Sequence, residues 1–208
     1  MDDTKNETIG LLVIMKAKAG KAQAVKNFLQ GGLALVNREP ETVSWFAFQI
    51  DEQTFGIYDT FEVEAGRQAH LKGEVAKALL ANADDLLEDF DAPSSIQTVK
   101  VLAANHKVGI QNNGLLVVLK AKEGKAAAVK DFLNAGKQLV SEEPNTLSWY
   151  ALDIDGTTFA IFDTFEGDAG RDAHLNGKVA AALLENAPVL LESFEASAIQ
   201  KIGIIAYK

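Results

Sequence analysis

The sequence predicts an α+β protein made of one βαββαβ unit written twice, the two copies packed sheet against sheet with their helices outside. Three observations carry that expectation. The chain repeats itself at a fixed offset, each copy alternates strand and helix patterns in the same order, and the strands are apolar on both faces.

The repeat is read directly. GLLVIMKAKAGKAQAVKNFL from Gly10 returns as GLLVVLKAKEGKAAAVKDFL from Gly114, and EPETVSWFAFQID returns as EPNTLSWYALDID. The offset stays at 104 until just after Phe90 and Phe194, where the first copy carries one extra residue. Two copies are too few for a solenoid, so this is a duplicated domain. The expected boundaries are a first repeat over 9–103, a linker over 104–113 (ANHKVGIQNN) and a second repeat over 114–207.

Within the first copy, Ile9–Ala17 is β-branched and apolar, which predicts a strand. From Lys21 to Arg38, Val25, Phe28, Leu29, Leu35 and Val36 fall at helical spacing, and Glu39-Pro40 ends the pattern. Thr42–Asp51 and Thr54–Glu62 read as a hairpin around a short polar turn. Ala65 to Ala83 reads as a second helix, broken or kinked at Gly73, and Ile96–Ala103 closes the unit as a strand. That order is the ferredoxin-like, split-βαβ arrangement. Its two helices cover one sheet face only, yet Phe46, Phe48 and Ile50 alternate with Trp45 and Ala47, so both faces need cover. The partner of matching chemistry in the chain is the other repeat, which predicts an intramolecular pseudo-dimer with an aromatic-lined interior. A further homodimer would need an exposed sheet edge, which the sequence does not locate.

Composition narrows the function. The 208 residues contain no cysteine, which removes disulfides, thiolate nucleophiles and cysteine-ligated metals. A net charge of −9 disfavours nucleic acid and anionic membrane surfaces as partners. The longest apolar run, Ile9 to Met15, is far short of a span, and the polar start does not read as a signal peptide, so a cytoplasmic location is expected. Three histidines spread over two repeats make a poor metal site, and no nucleotide-cradling glycine motif or nucleophile elbow is present.

Four residue types stand out, each at the same place in both copies. His70 and His174 are candidate general bases, with a partly buried histidine satisfied by a backbone carbonyl or, for His70, by Asp59 as the alternative. Asp59 and Asp163 interrupt apolar strands and so need partners. Arg67 and Arg171, eight residues on, would form a clamp with them, and the competing reading has each aspartate orienting its histidine. Trp45 and Trp149 are core residues or stacking walls, beside Phe46/Tyr150 and Tyr58/Phe162, which would make two pockets differing by a hydroxyl or so. Asn82 and Asn186 read as helix caps.

A βαββαβ unit with E-P-x-T-x-S-W on its second strand, F-x-I-x-D-T-F on its third and A-G-R-x-A-H-L opening its second helix resembles the antibiotic biosynthesis monooxygenase family, which includes quinol monooxygenase-like proteins of the dimeric α+β barrel fold. The resemblance covers nearly the whole chain, twice. It implies a barrel with both halves in one chain and a cofactor-independent monooxygenase acting on a small aromatic molecule such as a quinol, polyphenol or anthrone, with no cofactor and no metal. The histidines would be bases, the aspartates their orienters, the arginines anion stabilisers and the tryptophans pocket walls. Haem-degrading relatives of the fold need a histidine where this chain has Leu80 or Leu184, so haem breakdown is not expected. The alternatives are a non-catalytic binding barrel, as in a stress response, and an oxygen-independent isomerase or lyase.

Overall fold

The structure, a computed structural model, describes residues 6–208. The first repeat runs β1 (Ile9–Ala17), α1 (Ala22–Val36), β2 (Ser44–Gln49), β3 (Thr54–Phe61), α2 (Glu64–Leu71), α3 (Glu74–Leu86), β4 (Leu87–Glu88), α4 (Ala92–Ser95) and β5 (Ile96–His106). The second runs β6 (Asn113–Lys120), α5 (Ala126–Ser141), β7 (Thr146–Asp153), β8 (Thr158–Phe165), α6 (Asp168–Leu175), α7 (Lys178–Leu190), a short 3₁₀ turn at Ala196–Ala198 and β9 (Ile199–Tyr207). The α+β class and the repeated ferredoxin-like order are those the sequence predicts. Among the described residues no helix is long and apolar enough to cross a membrane.

Before each first helix the chain turns through a left-handed glycine, Gly20 at φ +76° and Gly124 at φ +73°, a conformation that costs other residues. The second predicted helix is in fact two. Gly73 stands between α2 and α3, and a Cβ there would lie 2.3 Å from Glu39 Oε1 and 3.0 Å from the His70 carbonyl oxygen. The break makes room for a carboxylate at the start of α3, and Gly177 does the same for Glu143 in the second copy, at 2.6 Å.

The compact units are cut differently from the repeats. One unit runs through Val99 and takes in Gly203–Lys208, while the other is Lys100–Ile202. In the first, β3 lies antiparallel between β1 and β2, β4 pairs with the end of β1, and Gly203–Tyr207 pair with β2. In the second, β8 lies between β6 and β7, and Lys100–His106 pair with β7. Part of the expected linker is therefore strand: Ala104, Asn105 and His106 face Tyr150, Trp149 and Ser148 in register, which satisfies their backbone groups.

Alternation along the strands sorts the side chains. Trp45, Ala47, Phe55 and Ile57 join Val25, Leu29 and Leu79 in the core between sheet and helices. Phe46, Phe48 and Tyr58 are buried on the opposite face. One cross-strand pair on that face shows how tightly it is filled. A Cβ on Gly56 would sit 2.2 Å from Cζ of its partner Phe48. The corresponding pair in the second unit is Ala160 with Leu152, a smaller side chain beside a larger neighbour. Gly56→Ala should therefore cost about 1–3 kcal/mol by overpacking, and adding Phe48→Leu should recover most of it. Urea unfolding of the single and double variants checks this; an unchanged midpoint for Gly56→Ala would show that the ring yields freely.

Candidate functional site

On the helix-covered face of each unit the structure builds two things side by side: a buried charged network and an apolar cavity. The network begins with Asp59, which β3 holds 1% exposed at the point where it faces Trp45 across the ladder. A carboxylate there has lost its water and must find charge or hydrogen bonds. It finds His70 of α2, whose Nε2 lies 3.2 Å from Asp59 Oδ2. His70 Nδ1 lies 2.6 Å from Glu39 Oε2, and Thr42 Oγ1 donates to that same oxygen at 3.1 Å. Phe61 covers the imidazole face at a centroid distance of 5.4 Å. The second unit repeats the arrangement. His174 Nδ1 is 2.6 Å from Glu143 Oε2, its Nε2 is 3.3 Å from Asp163 Oδ2, and Thr146 Oγ1 donates to Glu143 at 2.9 Å.

Lysines from the ends of the repeats steady the glutamate loops. Lys208 Nζ donates to the carbonyl oxygens of Val36 (3.2 Å) and Glu39 (2.7 Å), closing the C-terminal end of α1. Lys107 does the same for Val140 and Glu143. Both place a cation where helix carbonyls are left over.

The electrostatics follow from this geometry. Burial works against a charged His70, but the Asp59 charge, the hydrogen bond to Asp59 and the contact with Glu39 outweigh it and push His70 up to about 10. Against its burial, His174 is raised by the Asp163 charge and by the hydrogen bond and charge of Glu143. Burial pulls Glu39 upward, but the hydrogen bond and charge of His70 hold it below the usual carboxylate range. Asp59 is raised by desolvation, against the pull of His70, and Asp163 is raised by desolvation to about 7. His70 is thus held toward the imidazolium, and each histidine turns both ring nitrogens to carboxylates. Each ring is clamped between two carboxylates, and neither histidine lines the apolar cavity of its unit.

The second feature is a cavity of about 300 Å³ in the first unit, between α1, α3 and the sheet, lined by Phe28, Gly32, Trp45, Ile57 and Leu79 among others. Its counterpart in the second unit, about 230 Å³, is lined by Phe132, Gly136, Trp149, Ile161 and Leu183 among others. Glycine in the helix lets the indole lie flat beneath it: a Cβ on Gly32 would be 3.4 Å from the Trp45 ring, and one on Gly136 3.2 Å from Trp149. Neither Trp45 Nε1 nor Trp149 Nε1 has a hydrogen-bond partner, though both are buried. Such a donor is costly to leave unmet. Each Nε1 belongs to the indole edge that carries Cζ2, the atom against the helix glycine.

The remaining candidates fall elsewhere. Arg67 pairs with Glu64 at 2.5 Å and donates to Thr98 at 3.0 Å, and Arg171 pairs with Asp168, so the expected aspartate–arginine clamp is replaced by aspartate–histidine. Phe46 stacks on Tyr58 at 6.3 Å on the sheet face opposite Trp45, and Tyr150 lies near Phe162, also at 6.3 Å. The expected aromatic pocket is therefore split by the sheet, because residues of opposite parity on a strand cannot share a face. Asn82 and Asn186 are not caps: each donates to the carbonyl four residues back, at 2.8 Å. Leu80 and Leu184 are exposed. Among the described residues no group of acidic or histidine side chains is arranged to hold a metal ion. The network's second carboxylate, Glu39 or Glu143, was missed as a site residue, although the Glu-Pro-x-Thr pattern in both copies marks it.

The clamp makes a pH signature. Because the folded-state His70 pKa lies above its free value, its stabilisation is full below about pH 6.5 and is lost as the pH rises toward 10. The ring nitrogens of His70 should give imidazolium ¹⁵N shifts at pH 7.5, and His70→Gln should flatten the alkaline loss of stability. A neutral tautomer at pH 7.5 would overturn the assignment.

Comparison with known proteins places this geometry. No family model and no curated protein matches the chain. Among solved structures, a candidate monooxygenase from Fusobacterium nucleatum superposes with a TM-score of 0.80 at 12% identity, over 98% of this chain and 94% of its own. An anthrone oxidase-like protein matches with a TM-score of 0.63 at 10% identity, over 99% and 94%. A ferredoxin-fold protein from Listeria monocytogenes, related to antibiotic biosynthesis monooxygenases, matches with a TM-score of 0.54 at 9% identity, over 98% of both chains. The chain thus has the fold shared by monooxygenase-like proteins and relatives of the antibiotic biosynthesis monooxygenases.

Proposed function

We propose that the chain is a cofactor-independent monooxygenase that admits a flat, electron-rich aromatic to the tryptophan-walled cavity of a repeat. The observation that supports this is the buried indole N–H without a partner at the wall of an apolar cavity. An apolar slot selects a flat hydrophobic ring, and an unpartnered donor in its wall favours one oxygen that carries negative charge. An electron-rich phenolate or enolate can pass an electron to triplet oxygen unaided. For an anthrone-type substrate, the ring CH₂ becomes C=O, one oxygen atom enters the product and the other leaves as water, with the substrate supplying all four electrons. One solved structure of this fold is described as anthrone oxidase-like, which points to the same substrate class.

With both histidines engaged by carboxylates and outside the cavity linings, the substrate ionises by its own acidity, which favours acidic quinols and enolisable anthrones. Trp45 and Trp149 donate to the resulting oxyanion, while the clamp fixes the strand and helices that frame them. One observation favours a second reading, binding without turnover: neither cavity lining contains a titratable side chain. The same absence counts against an isomerase or lyase, which needs a base in contact with substrate.

Oxygen uptake by metal-stripped protein with a panel of quinols, catechols and anthrones tests the proposal. Uptake without added flavin or metal is expected, with Trp45→Phe/Trp149→Phe lowering kcat/KM about tenfold or more through loss of the N–H donors. Uptake indifferent to both substitutions would overturn the role of the indoles. Ligand binding with no uptake would leave the binding reading in its place.

A further inference from the structure

We infer that the two cavities select different ligands: the first repeat's takes an aromatic carrying a polar substituent, the second's an aromatic without one. This rests on the reading of the cavities as ligand sites.

The walls are alike, but the rims are not. Asn27 and Asn82 line the first cavity alongside Gly31. Asn27 Oδ1 accepts from Gln23 at 2.9 Å, and Asn82 Nδ2 donates to the Ala78 carbonyl at 2.8 Å. Each amide therefore spends one end on the protein, leaving the Asn27 Nδ2 donor and the Asn82 Oδ1 acceptor at the rim. In the second repeat the position of Asn27 is held by Asp131, and neither Asp131 nor Asn186 lines the cavity. Gly31 is replaced by Ala135, whose methyl lines the smaller space, about 230 Å³ against about 300 Å³. A polar substituent emerging from the first cavity meets a donor and an acceptor, whereas the lining of the second offers it only hydrocarbon.

The chain has two tryptophans, one in each cavity, so each site carries its own reporter. The indole N–H signals of ¹⁵N-labelled protein, assigned with Trp45→Phe and Trp149→Phe, are followed during titration with 2-naphthol and with 6-(hydroxymethyl)-2-naphthol. The hydroxymethyl probe should favour the Trp45 site by about tenfold in Kd over the Trp149 site, and 2-naphthol should not. Asn27→Ala should bring that ratio to within about twofold. Gly31→Ala, whose new methyl meets no atom within 4 Å and so leaves the fold intact, should weaken the hydroxymethyl probe at Trp45 alone. Equal affinities of both probes at both signals would overturn the inequivalence while leaving the cavities as ligand sites. No shift of either indole with any probe would overturn the cavity reading itself.

Discussion

The structure turns on one electrostatic requirement: Asp59 and Asp163 are carboxyl groups placed in the middle of apolar strands, and each must be answered where water cannot reach. Histidine alone is an incomplete answer. Pairing His70 with Asp59 buries a second charged group, and the free nitrogen of that ring then needs Glu39. Once Glu39 is drawn in, position 73 has no room for a side chain, which is why α2 and α3 are separate helices. Lys208 then fixes the Glu39 loop by its carbonyls. Removing any one member strands a buried charge, a loss of about 3–5 kcal/mol, whereas the intact network adds less than its short distances suggest because its desolvation is also large. Its contribution lies more in position than in stability.

What it positions is the cavity. Asp59 faces Trp45 across the ladder, and the backbone of Val75, which lines the cavity, hydrogen-bonds Glu39. Strand and helix are thus tied on the side next to the apolar space, and the charges stay out of its lining. The separation has a chemical consequence. The cavity lining holds no ionisable group, and the buried indole N–H of the tryptophan in its wall has no partner. A titratable base inside the same space would raise its polarity and weaken that donor.

Much of this was legible in the residues, and the rest was lost for identifiable reasons. Strand β1 falls on the predicted residues because its β-branched run allows no other reading. The parity of β2 correctly divides Trp45 from Phe46 and Phe48, yet grouping Trp45 with Phe46 and Tyr58 as one pocket ignored what that parity implies. Asp59 announces that it needs a partner but not which one. Arg67 is near in sequence and takes a local acid, Glu64, three residues away at the helix surface. Glu39 arrives from 31 residues before His70, and only the fold brings them together. The environment of His70 follows from the same convergence, since Asp59 and Glu39 reach its two nitrogens from different elements.

The two copies also show which positions are bound by this requirement and which are free. The network is identical in both. Where the core changes, it changes in compensating pairs, Phe48 with Gly56 against Leu152 with Ala160. Glu7 is replaced by Gln111, and the amide oxygen accepts from Ser148 and Thr164 as the carboxylate does from Ser44 and Thr60, so that site needs an acceptor and not a charge. By contrast, Gly31 and Asn27 at the rim of the first cavity correspond to Ala135 and to Asp131, which does not line the second, with no compensating neighbour on the wall. A rim residue has solvent on one side, so its replacement strands no buried group and leaves the tryptophan and its clamp undisturbed. Divergence at those positions can alter what enters a cavity at little cost to what holds it open, which is the combination a duplicated binding domain requires to separate its two specificities.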